Sequence, residues 1–211
     1  MNKSTKILLM LLGIFILGVS ISFLRYGALG TDPYTTMNLG VSSAVGLSFG
    51  VYQMFINFIL FILVLLFKRE TIGIGTIVNM IMVGYTSDIV FFYLLNEMPA
   101  QPVFLLRLTV TVLATALACV GISMYMEAEL GIAPYDALAI LIIDKSNQRI
   151  PFFVARMFVD ILAVIIGFNF GAVVGIGTLM LAVLTGPLVQ LIREKIIKPI
   201  LTNKFPVAEI K

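Results

Sequence analysis

Runs of roughly twenty apolar residues recur along this chain, and they limit what it can fold into more than any other feature. Six stand out, at about 6–26, 50–67, 73–94, 103–125, 152–168 and 172–192. Coiled as an α-helix, a run of this length matches a hydrocarbon layer about 30 Å thick. Inside such a layer every backbone N–H and C=O must be satisfied by protein, which for runs of this length leaves helices. Only 12% of the residues are charged and 60% are hydrophobic, against about 25% charged in soluble domains. No polar stretch is long enough to form a water-soluble unit. The expected fold class is all-α, a polytopic membrane helix bundle of about six transmembrane spans.

Composition removes several function classes. The chain has no histidine and one cysteine, Cys119, so triads, histidine bases, metal clusters and disulfide frameworks have no raw material. No enzyme, cofactor or metal is expected. The net charge of +3 comes from lysines and arginines flanking apolar runs, without the basic, aromatic-rich patch of a nucleic-acid binder. The first run follows Lys3 and Lys6 but lacks a small-residue cleavage site, so it reads as a retained span and not a leader.

The basic residues set an orientation. With six spans and a cytoplasmic N-terminus, the inner side receives Lys3, Lys6, Lys68, Arg69, Lys145, Arg149, Arg193, Lys195, Lys198, Lys204 and Lys211. Arg25 and Arg107 fall outside, and Arg156 lies within a span. This positive-inside bias places both termini in the cytoplasm.

The chain also repeats itself. "LGTDPYTTMNLG" from Leu29 matches "LGIAPYDALAIL" from Leu130, and "GIGTIVNMIMVG" from Gly73 matches "GIGTLMLAVLTG" from Gly175. Ser22 and Ser123 correspond as well. One transmembrane domain built from two repeats, about 1–98 and 103–197, followed by a short basic tail at 198–211, accounts for this. Each repeat holds three spans, so the second begins on the opposite side of the membrane from the first. Equivalent loops exchange their charges accordingly: "KRE" at 68–70 faces an uncharged "FNFG" at 168–171, and "SSAVGLSFG" faces "DKSNQRIPF". The two halves are expected in inverted topology. The rival is a parallel arrangement of eight spans, which would put "KRE" outside against the charge rule.

Each Gly-x-x-Pro-Tyr copy is followed by a segment too short to span, at about 33–47 and 133–143, and both read as half-helices. Gly30 and Gly131 permit a sharp turn. Pro33 and Pro134 suit a first helical position, and Asp32 can cap the helix that follows. Breaks at corresponding places in two halves are the sequence mark of a transporter site. The exposed helix starts could receive an anionic or polar substrate.

The candidate substrate-binding residues are therefore Asp32, Pro33, Tyr34, Pro134, Tyr135 and Asp136 at the breaks, with the polar residues inside spans. Arg156 and Asp160 share a helix face four residues apart, and Gln53 and Asn57 are the equivalent pair in the first half. A structural ion pair is the plainer reading of the former. Asn79 is a further candidate. Asp88, late in the third span, is placed to pair with Arg107, early in the fourth. Asp136, in the first turn of its half-helix, would serve there simply to stabilise that helix. The "GIGT" glycines lack the Lys-Ser/Thr of a phosphate loop and read as helix-packing positions.

The first half carries Gly30-Thr31-Asp32-Pro33-Tyr34, "VGLSFG" at 45–50, Lys68-Arg69, "GIGT" at 73–76, Asn79, Gly84 and Asp88 in order. This succession resembles the YczE/YyaS/YitT group of bacterial membrane proteins over nearly the whole chain. That group's Pro-Trp-Asp becomes Pro33-Tyr34-Thr35 in the first copy, while Pro134-Tyr135-Asp136 keeps the acid in the second. The resemblance implies a bacterial cytoplasmic membrane protein and a transport or export role. The function expected is a small secondary transporter of an unidentified small molecule by alternating access. The alternatives are a substrate-capturing subunit of a larger transport complex and a structural or regulatory membrane protein with no small ligand. The expected partners are the lipid bilayer and that small molecule, with a homodimer left open and no nucleic acid.

Overall fold

The computed structural model describes residues 2–98 and 103–204. Among them the secondary structure is helical throughout, in the order α1 (Lys3–Gly27), α2 (Pro33–Val45), α3 (Phe49–Phe67), α4 (Ile74–Glu97), α5 (Phe104–Glu127), α6 (Pro134–Lys145), α7 (Phe152–Asn169), α8 (Ile176–Ile192) and α9 (Lys198–Lys204). A 3-10 turn at Arg69–Thr71 precedes α4, and a π-turn at Arg193–Ile197 joins α8 to α9. The tail residues 205–211 lie outside the described residues.

Four of these helices, α1, α3, α4 and α5, are long and apolar enough to cross a membrane, and a bent pair at Ile176–Val183 and Thr185–Leu201 makes a fifth if taken as one span. The bend is 50°, in a helix that contains Pro187; proline removes a hydrogen bond and crowds the preceding turn. The helix α7 coincides with the remaining expected run but has only 18 residues. The two half-helices begin and end where their sequences direct. Pro33 opens α2, Asp32 Oδ1 accepts from the Thr35 N–H at 3.0 Å, and Gly46 closes the helix at φ +70°. Pro134 opens α6 without a side-chain cap, because Ala133 stands where Asp32 stands in the first copy. The Ala133 N–H instead donates to the Tyr125 hydroxyl at 3.1 Å.

The centre of the bundle is the crossing of α1 and α5, equivalent helices of the two halves. They run antiparallel. Gly13 abuts Gly121 and Tyr125, while Gly27, at the other end of α1, abuts Thr111 and Arg107 near the start of α5. Bare glycines let the two backbones touch, as membrane helices do without a hydrophobic driving force of their own. Met10, Ile14, Ile21, Val83, Tyr125 and Ala128 fill the core around this crossing. Each central helix is then tied to the third long helix of its own half by matched serines. Ser22 Oγ donates to the Ser87 carbonyl at 3.1 Å, and Ser123 Oγ donates to the Val189 carbonyl at 3.0 Å.

The remaining elements cross over. α2 packs on α7, and α6 packs on α3 and α7. The "GIGT" starts do likewise. The Gly75 N–H donates to the Leu130 carbonyl at 2.7 Å, and the Gly177 N–H donates to the Leu29 carbonyl at 2.7 Å. So each glycine turn is held by the helix start of the opposite half. Gly30 and Gly131 adopt φ +101° and +112°, and an added Cβ on Gly131 would lie 2.6 Å from Thr76 Oγ1 and Gly73 N. Packing is indeed the role of these glycines, but between the halves and not within one span.

Candidate functional site

The two Pro-Tyr helix starts converge on one point. The rings of Tyr34 and Tyr135 stack with centroids 4.3 Å apart and planes 22° from parallel. Each phenol is held by the same position of a long helix from its own half. Tyr34 Oη donates to Asn57 Oδ1 at 2.7 Å, and Tyr135 Oη donates to Asp160 Oδ1 at 2.7 Å. The hydrogen-bonded frame is thus duplicated, while its chemistry is not.

In the second half the frame is charged. Arg156 Nε donates to Asp160 Oδ2 at 3.1 Å, Arg156 Nη1 pairs with Asp136 Oδ1, and the guanidinium lies 4.9 Å from the Tyr135 ring centroid. Tyr125 Oη donates to the other oxygen of Asp136 at 3.1 Å. Asp136 therefore does more than support its own helix: it joins α5, α6 and α7 through one carboxylate. The Arg156–Asp160 pair is part of a three-residue network.

In the first half the same places hold neutral groups, Thr35 for Asp136, Gln53 for Arg156 and Asn57 for Asp160. Gln53 and Asn57 are 3% and 1% exposed, and Asn38, one turn along α2 beside the Tyr34 hydroxyl, is wholly buried. Gln53 Oε1, Asn57 Nδ2 and Asn38 Oδ1 have no hydrogen-bond partner. Asp32 is the first half's acid at this turn, its Oδ1 capping α2 at the Thr35 N–H. The carboxylates of Asp32, Asp136 and Asp160 occupy the very region where an anion was expected at the helix starts.

Two candidates lie elsewhere. Asp88 does not pair with Arg107. Its Oδ1 accepts from Arg25 Nη1 at 2.8 Å and its Oδ2 accepts from the Gly50 N–H at 2.6 Å. Arg107 instead donates to the Gly27 and Ala28 carbonyls at the end of α1. The last turn of α1 reaches α4, a relation that linear span order does not contain. Asn79 is buried on α4, and no described contact joins it to the tyrosine pair. Asn38 was missed because it lies beyond the Gly-x-x-Pro-Tyr stretch and aligns with a buried Ala139 in the second copy. Its polarity inside an apolar half-helix was the available signal.

The centre has one open flank. A groove of about 710 Å³ runs between α2, α3, α6 and α7, lined by apolar side chains such as Met37, Leu60, Leu138 and Val159. Tyr135 stands at one end and Lys145 with Ser146 at the other.

Against known proteins, the chain is similar to YczE of Bacillus subtilis, described as an uncharacterised membrane protein, at 28% identity over 82% of this chain and 79% of that one. It is similar to the uncharacterised YyaS of the same organism at 29% identity, over 85% and 88%. An uncharacterised protein of Haemophilus influenzae is 28% identical over 89% and 82%. No solved structure matches. Residues 4–194 match a family of unknown function, DUF6198, so the chain is a member of that family of membrane proteins, and the resemblance to YczE and YyaS holds along most of its length.

Proposed function

We propose that this protein is a small secondary transporter of the bacterial cytoplasmic membrane, with both termini in the cytoplasm, and that its two halves are inverted repeats working by alternating access. The observation that carries the reading is the contact between Tyr34 and Tyr135. Equivalent residues that touch lie on the pseudo-two-fold axis relating the halves. The same axis passes through the α1/α5 crossing, where equivalent helices run antiparallel. An axis perpendicular to spanning helices lies in the membrane plane, so groups on it sit near mid-depth. That is where substrate sites of inverted-repeat transporters lie, between broken helices. Buried polar groups there are expensive and call for a functional reason. Antiparallel equivalents favour this over the parallel eight-span arrangement, and the site itself favours it over a purely structural role.

The test uses a single cysteine at Tyr135 in a Cys119→Ser background, probed with a membrane-impermeant thiol reagent. Alternating access predicts labelling both in whole cells and in inverted vesicles. Labelling from one side only, under all conditions, refutes it.

A further inference from the structure

We infer that the centre between the halves binds a small polar ammonium compound, its cation held by Asp136 and Asp160 and its hydroxyl or carbonyl group held by the amides of Asn38 and Asn57. This deepens the transporter reading, since it concerns the same site. Two carboxylates share one guanidinium: Arg156 pairs with Asp136 and Asp160. At low dielectric a surplus of negative charge is costly until a cation compensates it. The other titratable groups about the centre are Asp32 and the phenols Tyr34, Tyr52, Tyr125 and Tyr135, and none supplies positive charge. The remaining inner pair, Arg25 with Asp88, is satisfied on its own beside Gly50.

The amides are the independent sign of a ligand. Asn38 and Asn57 are 0% and 1% exposed, and Gln53 is 3% exposed, yet each has at least one polar atom without a partner. Buried amides are almost always hydrogen-bonded. Asn57 Oδ1 is fixed by Tyr34, which leaves its Nδ2 as a donor, and Asn38 Oδ1 adds a buried acceptor on the neighbouring turn. The free Gln53 oxygen is an acceptor for a further donor on the ligand. Charge at one end and neutral amides at the other match a molecule built the same way.

The probes are ethanolamine hydrochloride and choline chloride, titrated calorimetrically into the full-length protein in detergent at constant chloride. Saturable binding is expected with both. Asp160→Asn copies Asn57 and keeps an acceptor for Tyr135, and it should weaken binding at least about ten-fold by removing one charge. Asn57→Ala removes the Nδ2 donor and should weaken binding as well. Asp88→Asn, at the separate Arg25 pair, should leave the affinity unchanged while lowering stability. No binding up to about 100 mM, a Kd above any useful affinity, overturns the inference. So does preference for acetate or phosphate, or equal affinity in wild type, Asp160→Asn and Asn57→Ala. Should Asp160→Asn not fold, failure of Asn57→Ala to weaken binding overturns it alone. Ammonium binding with one-sided labelling of Tyr135→Cys keeps this site and removes the transporter; two-sided labelling without ammonium binding does the reverse.

Discussion

Gly131→Ala should separate the halves at the turn, and Gly46→Ala supplies the measure against which to judge it. Both glycines have positive φ, +112° and +70°. Nothing lies within 4 Å of a Cβ on Gly46, so Ala there meets only the backbone cost of a left-handed conformation, about 1–2 kcal/mol. A Cβ on Gly131 meets that cost and also lies 2.6 Å from Gly73 N and from Thr76 Oγ1. Both are anchored at the start of α4 and cannot swing aside, so the turn must retreat. Retreat breaks the Gly75 N–H to Leu130 carbonyl bond at 2.7 Å and the Thr76 Oγ1 to Ile132 carbonyl bond at 2.9 Å. Each buried polar group left unmade costs about 1–3 kcal/mol. The total for Gly131→Ala is then about 3–8 kcal/mol, about 2–6 kcal/mol beyond Gly46→Ala. Unfolding by SDS titration of protein in mixed micelles measures both. If the two variants fall within about 1 kcal/mol of each other, the cross-half contact is not what these glycines serve.

Further outcomes follow from other contacts. Cysteines placed singly at Arg69 and Asn169 in a Cys119→Ser background should respond oppositely to an impermeant thiol reagent on whole cells, Asn169→Cys labelling and Arg69→Cys not; labelling of both refutes the inverted arrangement. Asp88→Ala should cost about 2–4 kcal/mol in the same SDS titration, because it leaves the mostly buried Arg25 unpaired, whereas Arg107→Ala should leave the Arg25–Asp88 pair intact. The Lys6 ammonium at 3.1 Å holds the Glu129 carboxyl below the usual carboxylate range. The contribution of that exposed pair is therefore full above the ordinary glutamate range and lost as pH falls through the lowered value, so Glu129→Gln should have a small effect at pH 7 and none in strong acid. High salt should erase the difference as well.

The sequence made the helices legible because apolar runs, Pro at first positions and Gly at ends are local signals; the half-helices at 33–45 and 134–145 follow from them. The matched offset between Leu29 and Leu130 revealed the duplication. Partner choice was not local. Nothing in "GIGT" states that Gly75 will meet Leu130 of the other half, and nothing in the last turn of α1 states that Arg25 will reach Asp88. The stacking of Tyr34 on Tyr135 likewise depends on how the two helix starts meet, although each tyrosine was singled out by its motif. Asn38 stayed hidden because a lone amide in a short helix gives no periodic signal and its counterpart is alanine.

The interlocking of the halves has a consequence for how the chain is made. The Leu29 carbonyl accepts from Gly177, about 150 residues later, and at about 5–20 residues per second the ribosome needs roughly 10–30 s to deliver that donor. For that interval the first half-helix has no α7 to lie on and its glycine turn has no closing bond. An early half must therefore wait, with an unpaired backbone at the membrane, until nearly the last helix has entered. Synthesis would stall there most visibly in a chain truncated before Gly175, which should be recognised and degraded as an unfinished protein although every helix of its first half is present.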